Sequence, residues 1–232
     1  MNISLSTDTD QALLQFDGIS ITHEDKVLLN NATGTITRQS LIVLCGQSGS
    51  GKSLLLSALA NQLPHFGQVS LYDRGHILSQ HTTEPTQWRA KIALLTQTPV
   101  MIDGTVLDNL ALPFTFKQYK DRNFDQAWCV ARLAEFGKPS DFIHQDIANL
   151  SGGERQIVHF LRTLQLNPAL LLLDEPTAAL DDVTARVLWQ MVQAWLSADP
   201  MRAVLAISHR KDEQVYATQI WQMADGCLAV RT

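Results

Sequence analysis

Gly46-Gln-Ser-Gly-Ser-Gly-Lys-Ser53 follows the apolar run Leu41-Ile-Val-Leu-Cys45 and precedes a helical stretch, Leu54–Asn61. The octet fits the pattern G-x-x-x-x-G-K-[ST] in the strand, loop and helix setting that the pattern requires. Its glycines permit backbone angles that turn successive N–H groups inward, and the helix start beneath them adds its positive end, so an anion is held mostly by backbone. Lys52 is expected to reach the β- and γ-phosphates, and the Ser53 hydroxyl to ligate Mg²⁺. A chance match in a chain of this length has odds of roughly 1%.

Working outward, two further runs are continuously apolar: Leu170-Leu-Leu-Leu173 and Ala203-Val-Leu-Ala-Ile207. Runs without alternation suit parallel strands covered on both faces. Each ends at a cluster of Gly, Ser, Asp, Glu or His, where an open α/β sheet places its ligand. Leu13–Phe16, Ile19–Ile21, Gly34–Thr37 and Gly67–Tyr72 read as short strands of an opening β-rich segment. Between Thr98 and Gln165 the pattern turns helical, with Phe124–Phe136 and Gly152–Leu166 spaced by threes and fours. The expectation is an α/β protein: a phosphate-loop core with an N-terminal antiparallel β subdomain and an inserted α-helical subdomain. One domain spans 1–232, with the core at 1–97 and 166–232 and the insertion at 98–165.

Leu170–Leu173 ends in Asp174-Glu175. Asp174 is placed to hold Mg²⁺ through water, while Glu175 faces an attacking water. Read alone, Asp-Glu-Pro is equally a turn before the next helix. Leu150-Ser-Gly-Gly-Glu154 opens another helix, and Ser151 with Glu154 fits a Ser-x-x-Glu capping box. Two glycines inside a helix start lower its propensity by about 1 kcal/mol each. They leave backbone N–H groups bare for a second anion, so the chain carries two helix starts suited to phosphate.

The phosphate loop, Gln97, Leu-Ser-Gly-Gly-Glu, Leu-Leu-Asp-Glu, the Ala-Leu-Asp of Ala179–Asp181 and His209 together resemble ABC-type ATPases in order and spacing, over nearly the whole chain. The resemblance implies ATP with Mg²⁺ as cofactors and a head-to-tail homodimer, in which the phosphate loop of one copy and Ser151-Gly152-Gly153 of the other enclose one ATP. It implies that Gly46, Gln47, Ser48, Gly49, Ser50, Gly51, Lys52, Ser53 and Leu54 line the nucleotide. Ser53, Gln97 and Asp174 would serve the metal, Glu175 would polarise the nucleophilic water, His209 would bond the γ-phosphate and Asp181 would connect the two composite sites. The adenine-stacking position falls on His23, whose ring is smaller than Tyr or Phe. An exposed loop histidine is an equal reading there. Leu54 stands where Thr is more usual, and Gln39-Ser40 where Gly-Glu is common.

Eighteen basic against 23 acidic side chains give a formal charge of −5, which argues against a nucleic-acid partner. Met1–Asp10 lacks the basic start and apolar run of a secretory signal, and no apolar run approaches the roughly 20 residues of a membrane span. Cys45, Cys129 and Cys227 read as buried, reduced thiols. The resemblance implies a transport ATPase on the cytoplasmic face of the inner membrane, attached to a separate multi-span permease. Val100, Met101 and Ile102 lie where the family's groove for the permease forms, although such a triplet also suits the subdomain's own core. Gln97–Leu110, Leu161–Gln165 and His209–Glu213 look like the ATP-binding subunits of FetA-type iron-export transporters. A soluble ABC ATPase acting on DNA or ribosomes is the alternative. His65, His76, His81, His144 and His159 have no ligand spacing.

Overall fold

The three unbroken apolar runs become strands whose side chains alternate between two cores. A computed structural model of the chain describes residues 11–24 and 26–231. The reading of Met1–Asp10 lies outside the described residues. A hairpin of β1 (Ala12–His23) and β2 (Lys26–Thr37) precedes β3 (Leu41–Gly46), and α1 (Lys52–Leu59) follows the glycine-rich loop. Next come β4 (Phe66–Asp73), β5 (His76–Ser79), α2 (Pro85–Lys91) and β6 (Ile92–Leu95). Three helices follow, α3 (Val106–Ala111), α4 (Gln126–Glu135) and α5 (Gly152–Leu164), joined by short 3-10 turns. The remaining elements are β7 (Leu170–Asp174), α6 (Asp182–Ser197), β8 (Ala203–Ile207), β9 (Gln219–Ala224) and β10 (Cys227–Arg231).

The larger sheet has the order β10-β9-β3-β8-β7-β6. It is parallel from β9 to β6, with β10 antiparallel at one edge. Ile42, Leu44, Leu170, Leu172, Leu205 and Ile207 face one core, which also takes in α1 and the smaller antiparallel sheet β2-β1-β4-β5. Leu41, Val43, Leu171, Leu173, Val204 and Ala206 face the other, shared with the helical region and α6. Covering both faces removes the polar alternation of a half-exposed strand. Leu172 is fully buried in the middle strands, where each such side chain contributes about 1.5–3 kcal/mol. An Asp there would leave an unpaired charge between layers. This is the expected α/β architecture, with an antiparallel β subdomain beside a mostly parallel sheet and its helices.

Several boundaries differ from the sequence expectation. Leu13–Phe16 and Ile19–Ile21 are one strand interrupted by a register shift around Gly18, whose φ is 67°. The first helix begins at Lys52, two residues earlier than its apolar pattern. The cysteines are mixed: Cys129 is buried and Cys45 partly so, whereas Cys227 is exposed. Cys227 follows the Asp225-Gly226 turn and pairs with Ala224 on an edge strand, so its apolar neighbours in sequence do not cover it. Gln39, with a φ of 58°, occupies the left-handed region that glycine adopts easily. Its side-chain amide donates to the carbonyls of Leu196 and Asp199 at the end of α6, which gives the substitution a structural use.

Candidate active site

β3 delivers the chain to the glycine-rich loop, and the loop's backbone is packed too closely for side chains at two points. A Cβ at Gly46 would lie 2.2 Å from the Met223 carbonyl oxygen, and Gly51 has a φ of 102° with the Leu28 carbonyl 3.1 Å from its Cβ position. The β9–β10 turn is fastened alongside, with the Gly226 N–H donating to the Ser50 carbonyl. Gly51 caps α1 without a side-chain acceptor, so the first N–H groups of the helix keep no side-chain partner at the cap. The Lys52 ammonium, 6% exposed, donates to the carbonyls of Gly46 (2.9 Å) and Gln47 (2.8 Å). Burial lowers its pKa, while the carboxylates of Glu175 and Asp174 oppose that shift. Gln47, Ser48 and Gly49 are exposed, whereas the buried Ser50 hydroxyl has no partner among the described residues. Leu54 packs partly against the core and leaves the loop's polar groups to the other residues.

β7 ends beside this loop. Burial raises the Asp174 pKa, and a hydrogen bond from the Ser53 hydroxyl is the leading opposing influence. The second oxygen, Asp174 Oδ1, is buried without a hydrogen-bond partner among the described residues. A buried carboxylate oxygen left unpaired beside a serine hydroxyl is a hard-oxygen pair suited to Mg²⁺. The residues therefore fit the metal that the sequence implies.

Glu175, with a φ of 48°, turns the chain at the end of β7 and donates its N–H to Ile207 of β8. A non-glycine residue in that region costs on the order of 1 kcal/mol. Its carboxylate accepts a hydrogen bond from Gln97 Nε2 at 3.0 Å and meets His209 Nε2 at 3.2 Å. Two residues singled out on separate motifs thus converge on the carboxylate of a third.

Ser151, Gly152 and Gly153 lie elsewhere. Ser151 caps α5 with the reciprocal bonds of a capping box: Glu154 N–H to Ser151 Oγ, and Ser151 N–H to Glu154 Oε2. Lys138, at 2.8 Å, is the main cause that lowers the Glu154 pKa to about 2. Among the described residues a Cβ on Gly152 meets nothing within 4 Å, whereas one on Gly153 would lie 2.9 Å from the Ala179 carbonyl oxygen. Close packing therefore adds a second reason for that glycine. These residues line a cleft of about 440 Å³ with Ala179, Leu180 and Asp181, and neither the phosphate loop nor Glu175 borders it. Both Asp181 oxygens are used at the start of α6, accepting from the N–H groups of Val183 and Thr184 and from the Thr184 hydroxyl.

His23 is exposed at the end of β1, opposite Lys26. Val100 and Ile102 are exposed, so only Met101 of the apolar triplet packs against the core. A separate cleft of about 490 Å³, bordered by Trp128, Trp195 and Arg202, takes in Leu164 and Gln165 but none of the phosphate-loop residues, Gln97, Asp174, Glu175 or His209. Sequence reading included Arg210 and Glu213 only within the segment His209–Glu213 and gave neither a role. Among the described residues, no helix is long and apolar enough to cross a membrane.

The ABC transporter family profile matches residues 29–178. The probable iron export ATP-binding protein FetA of Escherichia coli (strain K12) is 33% identical over 208 residues, covering 90% of this chain and 89% of that protein. A solved ATP-binding subunit of an ABC transporter superposes with a TM-score of 0.80 at 20% identity, over 94% of this chain and 90% of its own. A bacterial Atm1-family ABC exporter with ATP bound gives a TM-score of 0.77 at 23% identity, over 99% of this chain and 40% of that one.

Proposed function

Because the chain belongs to the ABC transporter family, as an ATP-binding subunit with ATPase activity, we propose that two copies join head to tail around two ATP molecules. In each site the phosphate loop of one copy faces Ser151-Gly152-Gly153 of the other. The observation that carries this reading is separation. The glycines at the start of α5 border a cleft that the phosphate loop does not reach, although both lie at helix starts. One nucleotide on one copy would leave the second helix start without an anion.

Gly46–Leu54 cradle the triphosphate, and Lys52 exchanges the Gly46 and Gln47 carbonyls for phosphate oxygens. Mg²⁺ bound with ATP would be held by Ser53 and Asp174, with Gln97 nearby, and would neutralise charge on the β- and γ-phosphate oxygens. Glu175 accepts the proton of the attacking water. Gln97 and His209 orient that carboxylate, and His209 shares its Nε2–H with the γ-phosphate as negative charge spreads over the equatorial oxygens. The partner copy's glycine N–H groups receive part of the same charge. Asp181, at the head of α6, carries the state of one site to the other, and His23 rests on adenine.

Residues 1–97 and 166–232 form the ATP-binding core in this scheme, with 98–165 the helical subdomain. ABC ATP-binding subunits work with a membrane permease. The exposed Val100 and Ile102 are the contact proposed for it here, which would hold the subunit on the cytoplasmic face of the inner membrane. Iron is the proposed exported substrate, supported by the similarity to FetA. Light scattering on Glu175→Gln tests the central claim: with ATP and Mg²⁺ it runs as a dimer, and with ADP as a monomer. A monomer at saturating ATP contradicts it. ATP-dependent iron movement in vesicles carrying this subunit and its permease tests the cargo.

A further inference from the structure

Glu213 sits on the short 3-10 segment Lys211–Tyr216, four residues past His209, and is 2% exposed. Its carboxylate touches two loops of the active site at once. Oε1 accepts a hydrogen bond from Thr177 Oγ1 at 2.5 Å, and Oε2 accepts one from Ser208 Oγ at 2.5 Å. Thr177 lies two residues after Glu175, and Ser208 immediately precedes His209. The Arg210 guanidinium approaches Glu213 at 3.5 Å and also bonds Asp182, the first residue of α6. The Arg210 N–H closes the ring by donating to Ser208 Oγ.

Burying a carboxylate costs free energy unless it is paired and fully hydrogen-bonded, and well-packed apolar residues often serve stability better. In some proteins such a group fixes the arrangement of the elements it bonds. The His209–Glu175 contact has side-chain exposures of 45% and 26%, and ion pairs so open to water hold little geometry on their own. The two hydroxyl bonds to Glu213 are charge-assisted and dry, so they hold far more.

We propose that Glu213 is a positioning residue for ATP hydrolysis, clamping the turn that carries Glu175 to the turn that carries His209. Through Arg210 and Asp182 the same clamp reaches the segment of Asp181. This inference rests on the roles given above to Glu175 and His209.

The test compares ATP hydrolysis and equilibrium ATP binding in the full-length protein for Glu213→Gln, Glu213→Asp, His209→Ala and the Glu213→Gln/His209→Ala pair. Misplacement of about 1 Å is sufficient to slow chemistry severely, so kcat in Glu213→Gln should fall about tenfold or more. KM and ATP affinity should stay within about twofold, and the same change should cost less than about twofold once His209 is absent. Glu213→Asp should recover part of kcat. Equal losses in both backgrounds, or loss of ATP binding in step with kcat, overturn the proposal. Should Glu213→Gln fail to fold, Ser208→Ala and Thr177→Val each remove one arm, and near-normal kcat in their double variant overturns it equally. If His209→Ala and Glu175→Gln retain full turnover, the active-site reading falls and takes this inference with it. If they lose turnover while Glu213→Gln does not, the clamp alone is wrong.

Discussion

His209 Nε2 lies 3.2 Å from Glu175 Oε1, and the carboxylate's other oxygen accepts from Gln97. A carboxylate has no proton to give, so His209 must present Nε2–H to it. The two donors bear on the carboxylate proposed as the base, on turns that the proposed Glu213 clamp would hold together. His209→Ala should therefore slow phosphate release by about 10²–10³-fold, with ATP affinity nearly unchanged. Glu175→Gln should slow it by about 10²–10⁴-fold. A radiolabelled or fluorescent phosphate assay beside equilibrium ATP binding separates the two effects. Parallel loss of binding would show that His209 holds nucleotide instead of serving the chemistry.

Asp174 is in tension with its own fold, since burial penalises the charge and Oδ1 has no partner among the described residues. Asn keeps an acceptor for the Ser53 hydroxyl and removes the buried charge. Asp174→Asn should therefore melt no lower than the parent protein without nucleotide, yet lose most of its Mg²⁺-dependent turnover. Calorimetry and a Mg²⁺ titration of ATPase rate check both halves. A lower Tm without nucleotide would mean that the carboxylate stabilises the fold.

The adjacent glycines Gly152 and Gly153 should behave differently. Open space surrounds a Cβ at Gly152, so alanine there should raise helix stability by about 1 kcal/mol. At Gly153 the added carbon meets the Ala179 carbonyl oxygen at 2.9 Å, and the overpacking should cost about 1–3 kcal/mol. If the second copy's triphosphate packs on the Gly152 amide, Gly152→Ala combines a higher Tm with a loss of ATP-driven dimer. Full dimerisation by Gly152→Ala would count against that contact.

The small face of His23 predicts weak base selection, with ATP and GTP turnover within about tenfold of each other. Strong preference for ATP would mean that adenine is recognised by some other group.

The parallel strands were legible because burial on both faces leaves a run such as Leu41–Cys45 with no alternation to misread. The phosphate loop was legible because Gly46 and Gly51 answer to local backbone demands, which a short pattern records. What long-range packing decides left little trace. Cys227 has apolar neighbours in sequence but lies on an edge strand. Gly153 is packed against Ala179, 26 residues on, and Glu213 gains its meaning only when Thr177 is brought across from another strand end. Gln97, Glu175 and His209 were named from separate motifs, but their meeting depends on β6, β7 and β8 lying side by side.

His159 gives the fold a pH dependence of definite sign. It is 7% exposed on α5, with Nδ1 2.9 Å from Arg162 Nη2 and Nε2 3.4 Å from Thr96 Oγ1. Arginine only donates, so Nδ1 must accept and the ring must be neutral. Burial, aided by the Arg162 charge, lowers its pKa from 6.5 to about 4. The unfolded chain therefore binds this proton at higher pH than the folded one. Stability from the neutral ring is complete above pH 6.5 and is lost as pH falls toward 4. Between pH 7.5 and 5 the loss should be about 2 kcal/mol. Gln at position 159 can still accept from Arg162 but does not titrate. Urea unfolding at both pH values should show His159→Gln losing less stability on acidification than the parent by about that amount. Equal acid sensitivity in the two proteins would place the dependence on other groups.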